Sequence, residues 1–285
     1  MSFRPVDLPS WFRFQLSGRR VLRQALREVA ALPTAASSPE RTAVQAQVGL
    51  RLARHLRMQV QVSGLTHIQS EPYLVLALHE GIADVLALLH LPLPLRFVAR
   101  DEIFRWAGVG KAITTLGHVS ITPESGASGY RKMLAAARDV TAQGESLVIF
   151  PQGTVLGIET DFQRGAFALA RHAGLPILPV VLTGSHRVWD YPFTPTLRYG
   201  QSIGLHVLPP ITRDEVRTTS PDLLRVQVRR AMKRAALDPE LPSPRRYDPE
   251  RDGYWDGYRF DIDPDFSALH HLMTTHRARR TEARP

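Results

Sequence analysis

The sequence predicts an α/β fold: a mostly parallel central sheet flanked by helices, with an N-terminal helical pair. Three observations predict it. Residues 73–78, 146–150 and 177–182 are short and almost wholly apolar, as strands buried on both faces must be. Segments with apolar residues three and four apart lie between them. Gly144 and Gly174 follow two of those segments, where glycine ends helices. Strands alternating with helices in this way form a sheet covered on both sides.

The elements follow in chain order. Residues 11–32 combine Trp11, Phe12, Phe14, Leu16, Val21, Leu22, Ala25, Leu26 and Val29 with Arg13, Arg19, Arg20, Arg23 and Arg27. This is an amphipathic helix, with two environments open to it: the protein's own core or a membrane interface. Residues 33–39 are a Ser-, Ala- and Pro-rich loop, and a second helix runs over about 40–56. Strands are expected at 58–62, 73–78 and 96–99, with a short helix at 85–89 between the last two. Residues 104–116 read as a helical pair broken by Gly108 and Gly110, and 128–142 as a helix. A strand at 146–150, a helix at 162–173, strands at 177–182 and 203–207 and one or two helices over 212–236 complete the pattern. The chain therefore divides into an N-terminal helical segment (1–57), an α/β domain (58–237) and a tail (238–285) that either wraps the domain or stays disordered. Within that tail Tyr254, Trp255 and Tyr258 are expected to cover an apolar face.

Bulk properties narrow the chemistry. The 285 residues and 44% hydrophobic content suffice for one large domain. There is no cysteine, which excludes disulfides, thiol nucleophiles and cysteine-ligated zinc, and fits a reducing compartment. Formal net charge is +9, almost all from arginine, since Lys111, Lys132 and Lys233 are the only lysines. The anionic partners this charge suits are membrane lipid, a phosphorylated substrate or nucleic acid; the last lacks any recognised motif and is disfavoured. No run of about 18 apolar residues suggests a membrane span, and the N-terminus lacks the order of a signal peptide. The expected location is cytoplasmic, peripheral to the cytoplasmic face of the membrane. Asp261, Asp263 and Asp265 alternate, but no glycine turn follows and Pro264 interrupts, so they read as a solvated turn rather than a calcium loop. His270 and His271 read as surface residues, and no metal site is expected. The absence of a G-x-S-x-G elbow weighs against an α/β-hydrolase.

One constellation carries chemistry. His79 closes the apolar run 73–78, and Asp84 lies five positions on, at the start of the next helix. An imidazole whose second nitrogen is held by a carboxylate is a ready general base. Such strand ends are also where open α/β sheets bind ligands. By itself the spacing is weak, because His186 and Asp190 produce a near match at four. The second segment, Phe150-Pro151-Gln152-Gly153-Thr154, also ends an apolar run. A turn there exposes backbone N–H groups suited to an oxyanion.

Taken in order, these segments resemble the 1-acylglycerol-3-phosphate acyltransferases of the phospholipid and glycerol acyltransferase superfamily. Their H-x-x-x-x-D block is matched by His79 and Asp84, and a stretch leading to their second block by Phe97, Arg100 and Ile103. Residues 117–121 match the short strand that follows. Their Phe-Pro-Glu-Gly-Thr block is matched by Phe150, Pro151, Gly153 and Thr154. A basic-Gly pair is matched by Arg164 and Gly165, and a proline-containing strand by 175–180. The resemblance covers roughly residues 64–184. It implies acyl transfer from acyl-CoA or acyl carrier protein, as co-substrate, to a hydroxyl of a lysophospholipid or related glycerolipid, with no cofactor. In it His79 and Asp84 are catalytic, Gln152, Gly153 and Thr154 stabilise the oxyanion or position the acceptor, and Arg100 and Arg164 bind substrate. The implied partners are the thioester donor, the lipid acceptor and an anionic membrane touched peripherally. Three departures stand out: Gln152 where the family has Glu, Val155 where Arg usually follows, and Pro123 where the second block usually ends in Arg. They imply a rewritten acceptor site, or, as the alternative, an impaired scaffold that binds lipid at a membrane surface.

Overall fold

The protein was analysed as a computed structural model, which describes residues 8–122, 125–190, 197–248, 252 and 260–270. Helix α1 (Leu8–Arg13) passes through a π-helical turn, Phe14–Gly18, into α2 (Arg19–Ala30). The turn was not legible in the apolar spacing. Helix α3 (Ser38–His55) starts two residues before the predicted point, because Ser37 and Glu40 form a capping box with Pro39 in the first turn.

Seven strands form one sheet: β1 (Gln59–Ser63), β2 (Leu74–Ala77), β3 (Leu95–Arg100), β4 (Val119–Ile121), β5 (Ser146–Ile149), β6 (Ile177–Thr183) and β7 (Ser202–Val207). Their order is β1-β7-β6-β2-β5-β3-β4. Every pairing is parallel except β6 with β7, which is antiparallel. Helices α4 (Ala83–Leu88), α5 (Asp101–Phe104), α6 (Val109–Thr115), α7 (Gly126–Ala142) and α8 (Arg164–Ala173) connect the strands, and α9 (Arg213–Thr218) and α10 (Pro221–Ala236) follow β7. The predicted 104–116 pair breaks at Gly108, whose φ of +76° suits glycine.

Strand periodicity builds two apolar layers. Leu74, Leu76, Leu147, Ile177 and Val181 pack with Met133, Phe167, Leu224 and Val228 of α7, α8 and α10. Tyr73, Val75, Ala77, Val148, Leu178 and Val180 face the other side, against Ala87 and Leu88 of α4. A third cluster joins Ala25 and Val29 of α2 to Val48 of α3 and Ala112 of α6. Buried Arg96 anchors α3 to the sheet, donating to Glu145, to Thr42 Oγ1 at 3.1 Å and to Gln45 Oε1 at 3.3 Å. The two environments open to the N-terminal helix are divided along its length. Ala25 and Val29 are core, whereas Trp11, Phe12 and Leu16 are 37%, 55% and 81% exposed. No described helix is long and apolar enough to cross a membrane.

The described part of the tail packs on the domain. Tyr247, Phe260 and Ile262 cluster with Leu156, and Thr160 and Ile262 form an antiparallel bridge. The solvated turn expected at Asp261, Asp263 and Asp265 holds for exposed Asp261 and is corrected for the other two. Asp263 is buried and pairs with Lys233 and Arg229, and Asp265 pairs with Arg229 and Arg230. The alternation that resembled a calcium loop instead meets the basic face of α10. His270 is exposed, while Pro123, Tyr254, Trp255, Tyr258 and His271 lie outside the described residues.

His118, just before β4, gives the fold a pH dependence. Its Nδ1 accepts from Phe97 N–H at 3.2 Å. Burial, then the Arg96 charge, holds its pKa down at about 3. The unfolded imidazole binds a proton near pH 6.5, so the unfolded state is favoured as pH falls from there towards the folded value. The ring keeps some solvent contact, and the expected loss between pH 8 and pH 5 is about 1 kcal/mol. Denaturant unfolding of the wild type and His118→Asn across pH 5–8 checks this; an equal slope for both would count against it. Asp265, whose pKa the Arg230 hydrogen bond draws down to about 2, acts only below that window.

Candidate active site

The two predicted segments meet because their strands are neighbours. In the β2–β5 register Leu74 faces Leu147, Val75 faces Val148 and Leu76 faces Ile149. Continued three residues past the strands, this register sets His79 beside Gln152. Gln152 Oε1 accepts from His79 N–H at 2.7 Å.

His79 Nδ1 lies 2.7 Å from Asp84 Oδ2. The same oxygen accepts from Glu80 N–H at 2.7 Å and Gly81 N–H at 3.0 Å. Asp84 is 0% exposed, and its hydrogen bonds to the imidazole and to two backbone N–H groups fix the loop. The carboxylate therefore holds the Nδ1–H tautomer and leaves the Nε2 lone pair for a substrate proton. Phe150 stacks on the imidazole at 3.9 Å and 15° between planes, which fixes the ring's plane. Gly81 permits close approach of the β6 loop: a Cβ there would stand 3.0 Å from Trp189 O.

The 150–154 turn is tight. Gly153 has φ +67°, and its N–H donates to Phe150 O at 3.0 Å. That amide is thus used inside the turn, whereas Thr154 N–H has no backbone acceptor among the described residues. Thr154 Oγ1 is buried with no partner among the described residues. Gln152 points inward. It is 1% exposed, and its Nε2 donates to Gly157 O at 2.9 Å and Thr160 Oγ1 at 3.1 Å. Its amide ties the His79 loop to the 157–160 turn.

Of the two arginines Arg100 stands apart from this junction, whereas Arg164 directly follows Gln163, whose N–H donates to Pro151 O at 2.6 Å. Arg100 ends β3, two strands from β2 and so about 10 Å away, with Nη2 3.5 Å from Glu102. Arg164 begins α8 with its side chain exposed and Nε 3.0 Å from Asp222. Among the described residues no group of three or more His, Asp or Glu is placed to hold a metal ion.

Sequence reasoning missed a layer behind the dyad. Glu80 is buried; its Oε2 is 3.0 Å from His186 Nδ1 and its Oε1 accepts from Arg245 N–H at 2.8 Å. Asp190 accepts from Arg245 Nε at 3.0 Å. His186 and Asp190, whose spacing mimicked the first motif, thus each bind other residues. The one signal available was the density of charge in otherwise apolar or proline-rich segments.

Comparison with known proteins points the same way. A family model described as acyltransferase matches residues 59–183. The chain is 32% identical over 144 residues to a 1-acyl-sn-glycerol-3-phosphate acyltransferase of Chlamydomonas reinhardtii, an alignment covering 49% of this chain and 43% of that one. It is 31% identical over 183 residues to the alpha form of Homo sapiens, covering 61% and 62%. The chain thus spans about half the length of the relatives it matches. The crystal structure of the 1-acyl-sn-glycerophosphate acyltransferase PlsC of Thermotoga maritima superposes with a TM-score of 0.59 at 21% identity, over 78% of this chain and 89% of that one.

Proposed function

We propose that this chain, which an acyltransferase family model matches over residues 59–183, is an acyltransferase of the 1-acyl-sn-glycerol-3-phosphate type, and that it moves a fatty acyl group from acyl-CoA or acyl carrier protein to a hydroxyl of a lysophospholipid or related glycerolipid. The observation that carries this reading is the buried Asp84 on His79 Nδ1, beside the Phe150–Thr154 turn. His79 Nε2 takes the acceptor's hydroxyl proton as the oxygen attacks the thioester carbonyl. Asp84 steadies the imidazolium, and Thr154 N–H donates to the oxyanion. Collapse breaks the carbon–sulfur bond, and the thiolate recovers the proton from His79. Arg100 and Arg164 are the proposed contacts for anionic parts of the substrates. No covalent acyl-enzyme is needed, and no metal or other cofactor is proposed. Gln152 serves this reaction from inside the protein, through the loop it ties. Incubation with labelled acyl-CoA or acyl carrier protein and a lipid extract, followed by mass spectrometry of the product, tests the reading. An intact dyad gives the impaired-scaffold alternative no support.

The protein works, in this reading, at the cytoplasmic face of an anionic membrane. Exposed Trp11, Phe12 and Leu16, with Arg13, Arg19, Arg20 and Arg23 nearby, provide apolar insertion and charge attraction together. Vesicles containing an anionic lipid should retain the wild type and lose at least tenfold in affinity with Phe12→Glu/Leu16→Glu. Equal sedimentation of both proteins would reject this contact.

A further inference from the structure

A tail residue bonds both catalytic segments at once. Arg245 N–H donates to Glu80 Oε1 at 2.8 Å, and Arg245 O accepts from Ile158 N–H at 2.9 Å. Glu80 directly follows His79, whereas Ile158 belongs to the turn that Gln152 ties down. The guanidinium is buried beneath this crossing. Its Nε meets Asp190 at 3.0 Å, its Nη atoms meet Asp252 at 3.0 and 3.1 Å, and Nη1 also donates to Leu156 O. The next residues continue the seam, with Arg246 and Tyr247 N–H on the buried Glu159. The approach is close: a Cβ on Gly157, φ +150°, would stand 2.5 Å from Tyr247 N, so only glycine fits under the tail there.

We propose that Glu80 and Arg245 are positioning residues for acyl transfer, and that residues 245–248 clasp the His79 loop to the Phe150–Thr160 segment. The proposal rests on the acyl-transfer reading for its reaction, while the clasp itself is a property of the free protein. Its physical basis is the geometry of the two catalytic parts. The proton acceptor and the oxyanion donor sit on different strands' loops, and displacements of about 1 Å between such groups reduce rates strongly. Gln152 fixes their spacing from within. The tail fixes it through a second set of bonds, with Glu80 as the side chain of the His79–Asp84 loop that reaches it. Glu80 also accepts from His186, so both of its oxygens are committed.

Glu80→Gln tests this with little change of shape, because one amide oxygen replaces two acceptors. Acyl-transfer kinetics and hydrogen–deuterium exchange are measured together, the second without substrate. The expected result is a kcat at least tenfold lower with both KM values within twofold. Exchange in the peptide spanning 78–84 should be at least fivefold faster, with the thermal midpoint lowered by only about 2–4 °C. Arg245→Met should do the same if it folds, and Arg245→Lys, which keeps the main-chain bonds and a cation, should recover kcat to within threefold. An unchanged kcat overturns the proposal whatever exchange does, and so does a lowered kcat with unchanged loop exchange. If the wild type transfers no acyl group, the acyl-transfer reading fails, and exchange alone decides the clasp.

Discussion

The His79→Ala protein should transfer no measurable acyl group from thioester to lipid. Removing a positioned base lowers such rates about 10²–10⁴-fold, and in the proposed reaction the same ring also returns the proton to the leaving thiolate. The loss should fall on kcat, with KM little changed, because the imidazole acts on a proton in flight and not on substrate binding. The loop should survive the substitution. Asp84 still accepts from Glu80 N–H and Gly81 N–H, and Gln152 still holds the main chain of residue 79. An unchanged unfolding transition would therefore separate lost chemistry from lost structure. Asp84→Asn gives the complementary result: a neutral amide oxygen accepts from Nδ1–H and the two loop amides more weakly than the carboxylate and cannot steady the imidazolium, so activity and loop order should decline together. Retained transfer by purified His79→Ala protein would sink the assignment.

The parts of this molecule legible in its sequence are those governed by local pattern. Strands β2, β5 and β6 were legible because burial on both faces demands uninterrupted apolar runs, and that demand leaves no other reading for 73–78 or 177–182. The dyad was legible because two strand ends and a fixed spacing coincided. What stayed hidden depends on contacts between distant segments. Arg96 reads as an ordinary strand residue, yet it is buried against Glu145, 49 positions away. The Asp263–Lys233 and Asp265–Arg230 pairs looked like solvated charge, since nothing local says that a helix's basic face lies beneath them. Glu80 and Arg245 are 165 positions apart, and no periodicity connects them. The helical spacing of 11–32 likewise could not say which turns of one helix meet the core and which stay exposed.

Gln152→Glu, which installs the residue that the resembled family carries, should impair this protein. The position is 1% exposed. As acceptor, an introduced carboxylate would serve His79 N–H as well as the amide does. The difference lies at the other end of the side chain. Nε2 donates to Gly157 O and Thr160 Oγ1, and a carboxylate donates to neither. Thr160 could turn its hydroxyl towards the new oxygen, but it would then abandon Gly157 O, to which it donates at 2.8 Å. Either way one buried carbonyl faces a buried negative charge with no donor between them. Leaving such a group unsatisfied costs about 1–3 kcal/mol, more where charge is involved. The pH dependence identifies the cause. Desolvation raises the carboxyl's folded pKa above its unfolded value of about 4.3. The protonated form, which can donate, is therefore favoured by folding, and its stability is lost as pH rises through the folded pKa. Relative to wild type, the variant should be close to normal at pH 4, below the unfolded pKa, clearly destabilised at pH 8, and about tenfold slower in transfer at pH 8 as the 157–160 turn loosens. A stability difference that did not change between the two pH values would mean that the introduced group reaches solvent or a cation, and that the inward amide is not what holds the two catalytic segments in register.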